Sequence, residues 1–361
     1  MDEKKSQFTA LYRKYRPQNF DEVLDQDHIV KVLKGAIEKD QVPHALLFSG
    51  GRGTGKTTVA RIFASAIGAG PMDIYEIDAA SNRGIEDVRE LREAVHTLPY
   101  ESERKVYIID EVHMLTKDAF NALLKTLEEP PAHVVFILAT TEEDKILDTI
   151  LSRCQVFRFR SPSRTVLKKA VIDIAKAEGF TLKSEAAELI AIAADGSFRD
   201  ALGVTQKVIL SSGDDIGDSD EVADIIGAPR KEILNKLMDS LANKDLQSAL
   251  KAVDEAVAVS INMKIFTRLL LERVRAVILL RYVPDQADKL LEGFGVEEQE
   301  KIRKYAKESA TSIHSHLLVR LLDAALYNGL TDLPQIPLEL ALIDTFGESN
   351  SVAGGVARKD K

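Results

Sequence analysis

Gly50-Gly51-Arg52-Gly53-Thr54-Gly55-Lys56-Thr57 sets two glycines, Gly50 and Gly55, with four residues between them and follows them with a lysine and a hydroxyl. Glycines let the backbone curl until successive N–H groups point inward, a concavity suited to phosphates. A helix beginning at Lys56 adds the positive end of its dipole. Lys56 brings a mobile cation to the outer phosphates and Thr57 offers a hydroxyl to Mg²⁺, with Thr58 on the same turn. Val106-Tyr107-Ile108-Ile109-Asp110-Glu111 supplies the complement. Four apolar residues bury a strand, and two carboxylates emerge at its carboxyl end, where parallel sheets bind ligands. Asp110 is placed for the Mg²⁺ water shell, and Glu111 to orient and polarise an attacking water. A third polar position follows the apolar run ending at Thr140-Thr141. A hydroxyl there could sense the outer phosphate through the water that Glu111 holds, and Thr140 is preferred over Thr141. The alternative is that these threonines cap the segment beginning at Glu142. The expected ligands are ATP and Mg²⁺.

Such a site needs a sheet with helices on both faces. Residues 44–50, 73–78, 105–110, 133–140 and 154–159 read as short strands rich in Val, Ile, Leu and Phe, without polar alternation, as strands covered on both faces should be. Helix-like segments at 56–67, 85–95, 117–128 and 143–151 separate them, which implies right-handed βαβ units in an α/β fold with a five-stranded parallel sheet. Past Pro162 no further strands are expected. Segments 163–178, 184–194 and 198–211 carry apolar residues at helical spacing, divided by Gly179 and Asp195-Gly196. A polar turn over 211–220 leads to a short helix ending near Gly227. From about 230 to 346 the pattern is all helix, with 265–280 apolar enough to be central in a bundle. The division is 1–161 for the α/β module, 162–227 for an all-α lid, 228–346 for an all-α C-terminal domain, and 347–361 for a disordered tail.

The 361 residues are 45% hydrophobic and 29% charged, enough for several soluble cores. No apolar run approaches a membrane span, and the N-terminus lacks the apolar centre of a signal peptide, so a cytoplasmic protein without a membrane partner is expected. Cys154 is the single cysteine, which excludes an internal disulfide and a cysteine-based zinc site. The seven histidines read as structural or surface residues. A net charge of −9 argues against a coat of non-specific DNA-binding charge but leaves room for a local basic strip.

These residues support a resemblance. The segment Leu11-Tyr12-Arg13-Lys14-Tyr15-Arg16-Pro17, the glycine loop, Asp110-Glu111-Val112-His113-Met114-Leu115, Leu127-Glu128-Glu129-Pro130-Pro131, Leu151-Ser152-Arg153-Cys154 and Gly196-Ser197-Phe198-Arg199-Asp200-Ala201-Leu202 resemble the AAA+ P-loop ATPases. The nearer likeness is to the gamma/tau family of bacterial DNA polymerase III clamp loaders, dense over residues 9 to 210. The resemblance implies that Arg153 is an arginine finger reaching the γ-phosphate of a neighbouring subunit, and that Arg199 contacts phosphate in its own. It implies that Tyr12, Arg13 and Arg16 line the base and ribose side. It also implies that Arg83, Arg89 and Lys125 lie where duplex phosphates are gripped, although solvated helix charge explains each equally well. The partners implied are the sliding clamp, the delta and delta-prime subunits, further copies of this chain, and primer–template DNA. The C-terminal domain would be a collar joining subunits.

Two departures stand out. The family usually carries a four-cysteine zinc module between the P-loop helix and the second strand; here that interval is Ser65-Ala66-Ile67-Gly68-Ala69-Gly70-Pro71-Met72, and no zinc is expected. The longer tail that couples tau to helicase and polymerase is not expected in this chain either. The competing reading is another AAA+ DNA motor, such as a Holliday-junction branch-migration helicase. Ser152-Arg153-Cys154 and a helical C-terminal part favour the loader.

Overall fold

The computed structural model describes residues 9–212, 216–291 and 294–347. The tail expected over 347–361 therefore lies, beyond Gly347, outside the described residues, as does the middle of the polar turn, 213–215. The chain forms two compact units, one of residues up to 174 with 194–206, the other of 175–193 with residues from 207 on. The segment 162–227, expected as one lid, is thus shared between them. Among the described residues no helix is long and apolar enough to cross a membrane.

The first unit is built on β1 (Ala45–Ser49), β2 (Ile74–Asp78), β3 (Lys105–Asp110), β4 (Val134–Thr140) and β5 (Gln155–Arg158). The order is β2-β3-β4-β1-β5, and every neighbouring pair is parallel. The helices that precede and separate these strands are α1 (Leu11–Lys14), α2 (Asp27–Glu38), α3 (Lys56–Ala66), α4 (Ile85–Val95), α5 (Lys117–Glu128) and α6 (Asp148–Leu151), and the unit also takes in most of helices Arg164–Ala177 and Phe198–Ser211. Successive strand side chains point to opposite faces. Leu47, Tyr107, Ile109, Phe136 and Leu138 therefore pack with Val88, Leu91, Phe120, Leu123 and Ile150 of α4–α6. Leu46, Phe48, Val106, Ile108 and Ile137 pack with Ile29, Leu33, Val59 and Phe63 of α2 and α3. Thr116 caps α5, its hydroxyl accepting from the Ala119 N–H at 3.3 Å, a contact worth about 1 kcal/mol.

Three expectations are corrected. β2 is an edge strand, with Tyr75, Glu76 and Asp78 exposed, so it is not covered on both faces. Segment 143–151 is not one helix. The Glu143 carboxylate is pinned by Ser49 and Arg158, which fixes a 3₁₀ turn at Glu143–Lys145 before α6 can start at Asp148. Strands do recur past Pro162: Thr181–Leu182 pairs in parallel with Ile216–Gly217 in the second unit. Two-residue pieces carry no periodicity from which they could be read.

The interval 65–72 folds as the end of α3, a left-handed Gly68 (φ 88°), buried Ala69 and a 3₁₀ turn Pro71–Asp73. Asp73 is fully buried and accepts hydrogen bonds from the N–H groups of Tyr100, Glu101 and Ser102 and from the Ser102 hydroxyl. Burial alone would raise its pKa, but these four donors outweigh it and hold the carboxyl at about 2. A depressed folded-state pKa gives stability that is present above the unfolded value of about 3.9 and is lost as pH falls through the folded one. Asp73→Asn will therefore lower Tm at pH 7, and its gap to the wild type will narrow as pH drops from 4 toward 2. Thermal melts across that range check this; a gap that stays constant would contradict it.

The second unit is helical. Its central helix, Met263–Tyr282, is buried along most of its length, as the apolar run at 265–280 predicts. Arg281 near its end donates to the carbonyls of Tyr305, Ala306 and Ile313, fastening the segment after helix Val296–Glu308. Arg273 pairs with Glu298 while both are largely buried. Helices Ser315–Tyr327 and Ile336–Phe346 pack together, yet leave Val319, Leu322, Leu326, Leu340 and Ile343 exposed.

Candidate functional site

Ser49 stands opposite Thr140 and Asp78 opposite Asp110 in the sheet register, so the strands end together along one edge. The glycine loop crosses that edge between β1 and α3. Gly50 has φ 144°, and a Cβ there would meet the Phe159 carbonyl oxygen at 2.5 Å. Gly53 has φ 70°, and a Cβ would meet the Ser197 hydroxyl at 2.0 Å. The Gly53 carbonyl accepts from the Phe198 N–H at 3.0 Å, so the start of helix Phe198–Ser211 rests on the loop and delivers Arg199 to it. Sequence inspection shows the glycines but not this second use of Gly53.

A cleft above the loop is lined by Tyr12, Arg16, Arg52, Gly53, Thr54, Gly55, Lys56, Thr57, Thr58, Asp110, Glu111 and Arg199, all expected from the sequence. Lys56 is buried and donates to the carbonyls of Gly50 and Gly51, each at 2.8 Å. Burial draws its pKa below the usual lysine range, against the opposing pull of Glu111 and Asp110. The Thr57 hydroxyl donates to Asp110 Oδ2 at 2.7 Å, which puts two hard oxygen donors side by side, as Mg²⁺ requires. The Arg13 and Arg199 guanidiniums approach the Tyr12 ring at 5.8 and 5.9 Å. The cleft is also lined by Val23, Leu24, Ala170, Val171, Ile174 and Leu202, an apolar end that suits a planar base. Ala170, Val171, Ile174 and Leu202 were missed because apolar residues on amphipathic helices read as core, and Val23 and Leu24 because they lie in a loop without a motif.

Gly50 and Gly51 contribute carbonyls to Lys56 rather than cleft surface, and Arg13 lies outside the lining. Thr140 is fully buried; its hydroxyl meets His113 Nδ1 at 3.0 Å and accepts the Glu142 N–H at 3.0 Å. Thr141, the less favoured of the two, donates to Glu111 Oε2 at 2.9 Å. Glu111 itself has φ 49°, a left-handed conformation that costs a non-glycine residue about 1–3 kcal/mol. The Met114 N–H to the Glu111 carbonyl, at 2.9 Å, helps hold it there. Arg153 is outside the cleft of its own chain; it bonds Glu128, the Thr149 carbonyl and the Ser152 hydroxyl. Arg83, Arg89 and Lys125 are exposed on or beside the packed pair α4 and α5, with Arg89 bonded to Glu86. His314 and His316 sit with rings 6.1 Å apart, and among the described residues no group of three or more His, Cys, Asp or Glu side chains could hold a metal ion.

Residues 69–163 match the family described as DNA polymerase III, delta subunit; 167–214 match the ATPase lid domain of the DNA polymerase III clamp loader subunit; and 218–337 match domain III of the gamma and tau subunits. The chain is 37% identical to DNA polymerase III subunit tau of Bacillus subtilis, covering 98% of this chain and 66% of that one. It is 34% identical to the gamma subunit of Buchnera aphidicola, covering 77% of this chain and 80% of that one. The chain belongs to the gamma/tau family of DNA polymerase III clamp-loader subunits. It spans about half to two thirds of several longer gamma/tau relatives, including 52% of the Mycobacterium tuberculosis protein. The fold is also that of the RuvB Holliday-junction motor of Thermotoga maritima, with a TM-score of 0.51 over 63% of this chain and 79% of that one. At 22% identity that likeness concerns architecture alone, and gamma/tau membership does not favour the branch-migration reading.

Proposed function

We propose that this gamma/tau chain binds MgATP in the cleft and hydrolyses it as a subunit of the loader that opens a sliding clamp and places it on primer–template DNA. The observation that carries this is one cleft, in a gamma/tau chain, lined by Lys56, Thr57, Asp110, Glu111 and Arg199. Backbone N–H groups of residues 51–57, Lys56 and Arg199 hold the polyphosphate. Thr57 and Asp110 would hold Mg²⁺, which when bound neutralises phosphate charge. Glu111 orients water against the terminal phosphorus, and Thr141 holds the Glu111 carboxylate in place. Arg153 of one copy completes the site of a neighbour. The working division is an ATPase module to 161, a lid over 162–227 and a collar over 228–346. The apolar face of Val319, Leu322, Leu326, Leu340 and Ile343 supports the collar, since exposed patches of this kind mark association surfaces.

The deciding measurement is ATP hydrolysis with delta and delta-prime, with and without clamp and primed DNA. Stimulation by clamp and DNA together is expected; indifference to both would sink the proposal. Replacing Arg83, Arg89 and Lys125 with Ala will leave hydrolysis without DNA unchanged and remove the DNA stimulation. The residual DNA response will also depend less steeply on salt, since phosphate contacts release counterions. Loss of hydrolysis in the absence of DNA would mean that these residues act elsewhere.

A further inference from the structure

One histidine, His113, lies behind the cleft lining, beside Glu111, yet has no part in the chemistry above. The His113 side chain is only 5% exposed, and its ring lies between the turn after β3 and the turn after β4. Nε2 is 3.2 Å from Glu142 Oε1, Nδ1 is 3.0 Å from the Thr140 hydroxyl, and Nδ1 is 3.5 Å from Glu111 Oε2. A carboxylate only accepts, so Nε2 carries the proton given to Glu142. In the neutral ring Nδ1 then accepts from the Thr140 hydroxyl, whose oxygen accepts the Glu142 N–H. His113 thus grips the residues on both sides of Thr141, and Thr141 is the residue that donates to Glu111.

The neighbours of this grip are anchored in turn. Lys145 bonds the Glu142 carboxylate and holds its pKa below the usual range. Glu143 is tied to Ser49 and to Arg158. The turn after β4 is thus tied at Glu142 and Glu143, and His113 joins it to the strained turn at Glu111. With its lone pair taken by the Thr140 hydroxyl, Nδ1 has no proton to give the Glu111 carboxylate, which leaves Thr141 as the donor.

We infer that His113 is a positioning residue for ATP hydrolysis, acting through the Thr140–Glu142 turn to place the Thr141 hydroxyl against Glu111. This rests on the reading that Glu111 orients the attacking water. The experiment measures hydrolysis with delta, delta-prime, clamp and primed DNA, and binding of a fluorescent ATP analogue to the chain alone. His113→Ala should lower kcat by about ten-fold or more while the analogue Kd stays within about two-fold. His113→Gln, whose amide can donate to Glu142 and accept from Thr140, should recover kcat to within about three-fold of wild type. Thr141→Val should resemble His113→Ala, and the double variant should fall no further than the worse single one, because the two act in series.

A kcat for His113→Ala within about two-fold of wild type would overturn the inference. Losses that multiply in the double variant would do the same, as would a lower Tm with weakened analogue binding, which marks a structural role. Glu111→Gln separates the two levels. If it hydrolyses ATP normally, the reading of Glu111 fails and His113 with it; if it is inactive while His113→Ala is not, the inference alone fails.

Discussion

Replacing Arg153 with Ala will leave this chain's own ATP affinity unchanged and cut hydrolysis in the assembled loader by roughly 10³–10⁵. Arg153 does not line the cleft of its own chain, so the loss cannot come from binding there. Its present partners are Glu128, the Thr149 carbonyl and Ser152, with the side chain 33% exposed. An ion pair of that exposure is worth about 0–1 kcal/mol. A finger in a neighbour's site supplies about 4–7 kcal/mol of transition-state stabilisation at the rate factor above. The part-exposed pair with Glu128 would therefore cost little to give up for a neighbour's phosphate. Mixed assemblies give the sharper test. A copy carrying Lys56→Ala and a copy carrying Arg153→Ala should each be inactive at particular interfaces, and activity should survive only where an intact finger faces an intact cleft. An isolated chain hydrolysing ATP at the assembled rate would refute action between subunits.

Much of this site was legible because its chemistry is written in contiguous residues. The loop 50–57 and the pair Asp110-Glu111 announce themselves by type and spacing, and the strands that carry them lie within a residue or two of their expected limits. Contacts that depend on where two turns meet were not legible. Thr140 and Thr141 differ by one position, yet Thr140, the last residue of β4, meets His113, and Thr141, in the bend that follows, reaches Glu111. His113 read as structural for the same reason, since nothing in Val112-His113-Met114 names its partners 27 and 29 residues away. Edge exposure of β2 was hidden because Ile74-Tyr75-Glu76-Ile77-Asp78 is apolar enough to pass for a buried strand, and strand order is not a local property. Most of the apolar end of the cleft, Ala170, Val171, Ile174 and Leu202, was hidden by its resemblance to any helix packed on a core.

Glu111→Gln will bind ATP as tightly as wild type and hydrolyse it about 10²–10⁴-fold more slowly, so that quenched samples contain bound ATP rather than ADP. The substitution keeps the side chain's length and shape. Its amide oxygen can still accept from the Thr141 hydroxyl, which in the wild type reaches Oε2 at 2.9 Å, so the group stays in place and only its charge and basicity are lost. Binding should stay intact because, in the site proposed above, phosphate would be held by the loop, Lys56 and Arg199, not by a carboxylate. Lys56→Ala must behave in the opposite way, losing affinity itself, because it removes the buried cation that sits on the Gly50 and Gly51 carbonyls. If Glu111→Gln instead weakens binding as Lys56→Ala does, Glu111 organises the pocket rather than the water. If it turns over at the wild-type rate, the attacking water is oriented by another group, and Thr141 has no catalytic carboxylate to hold.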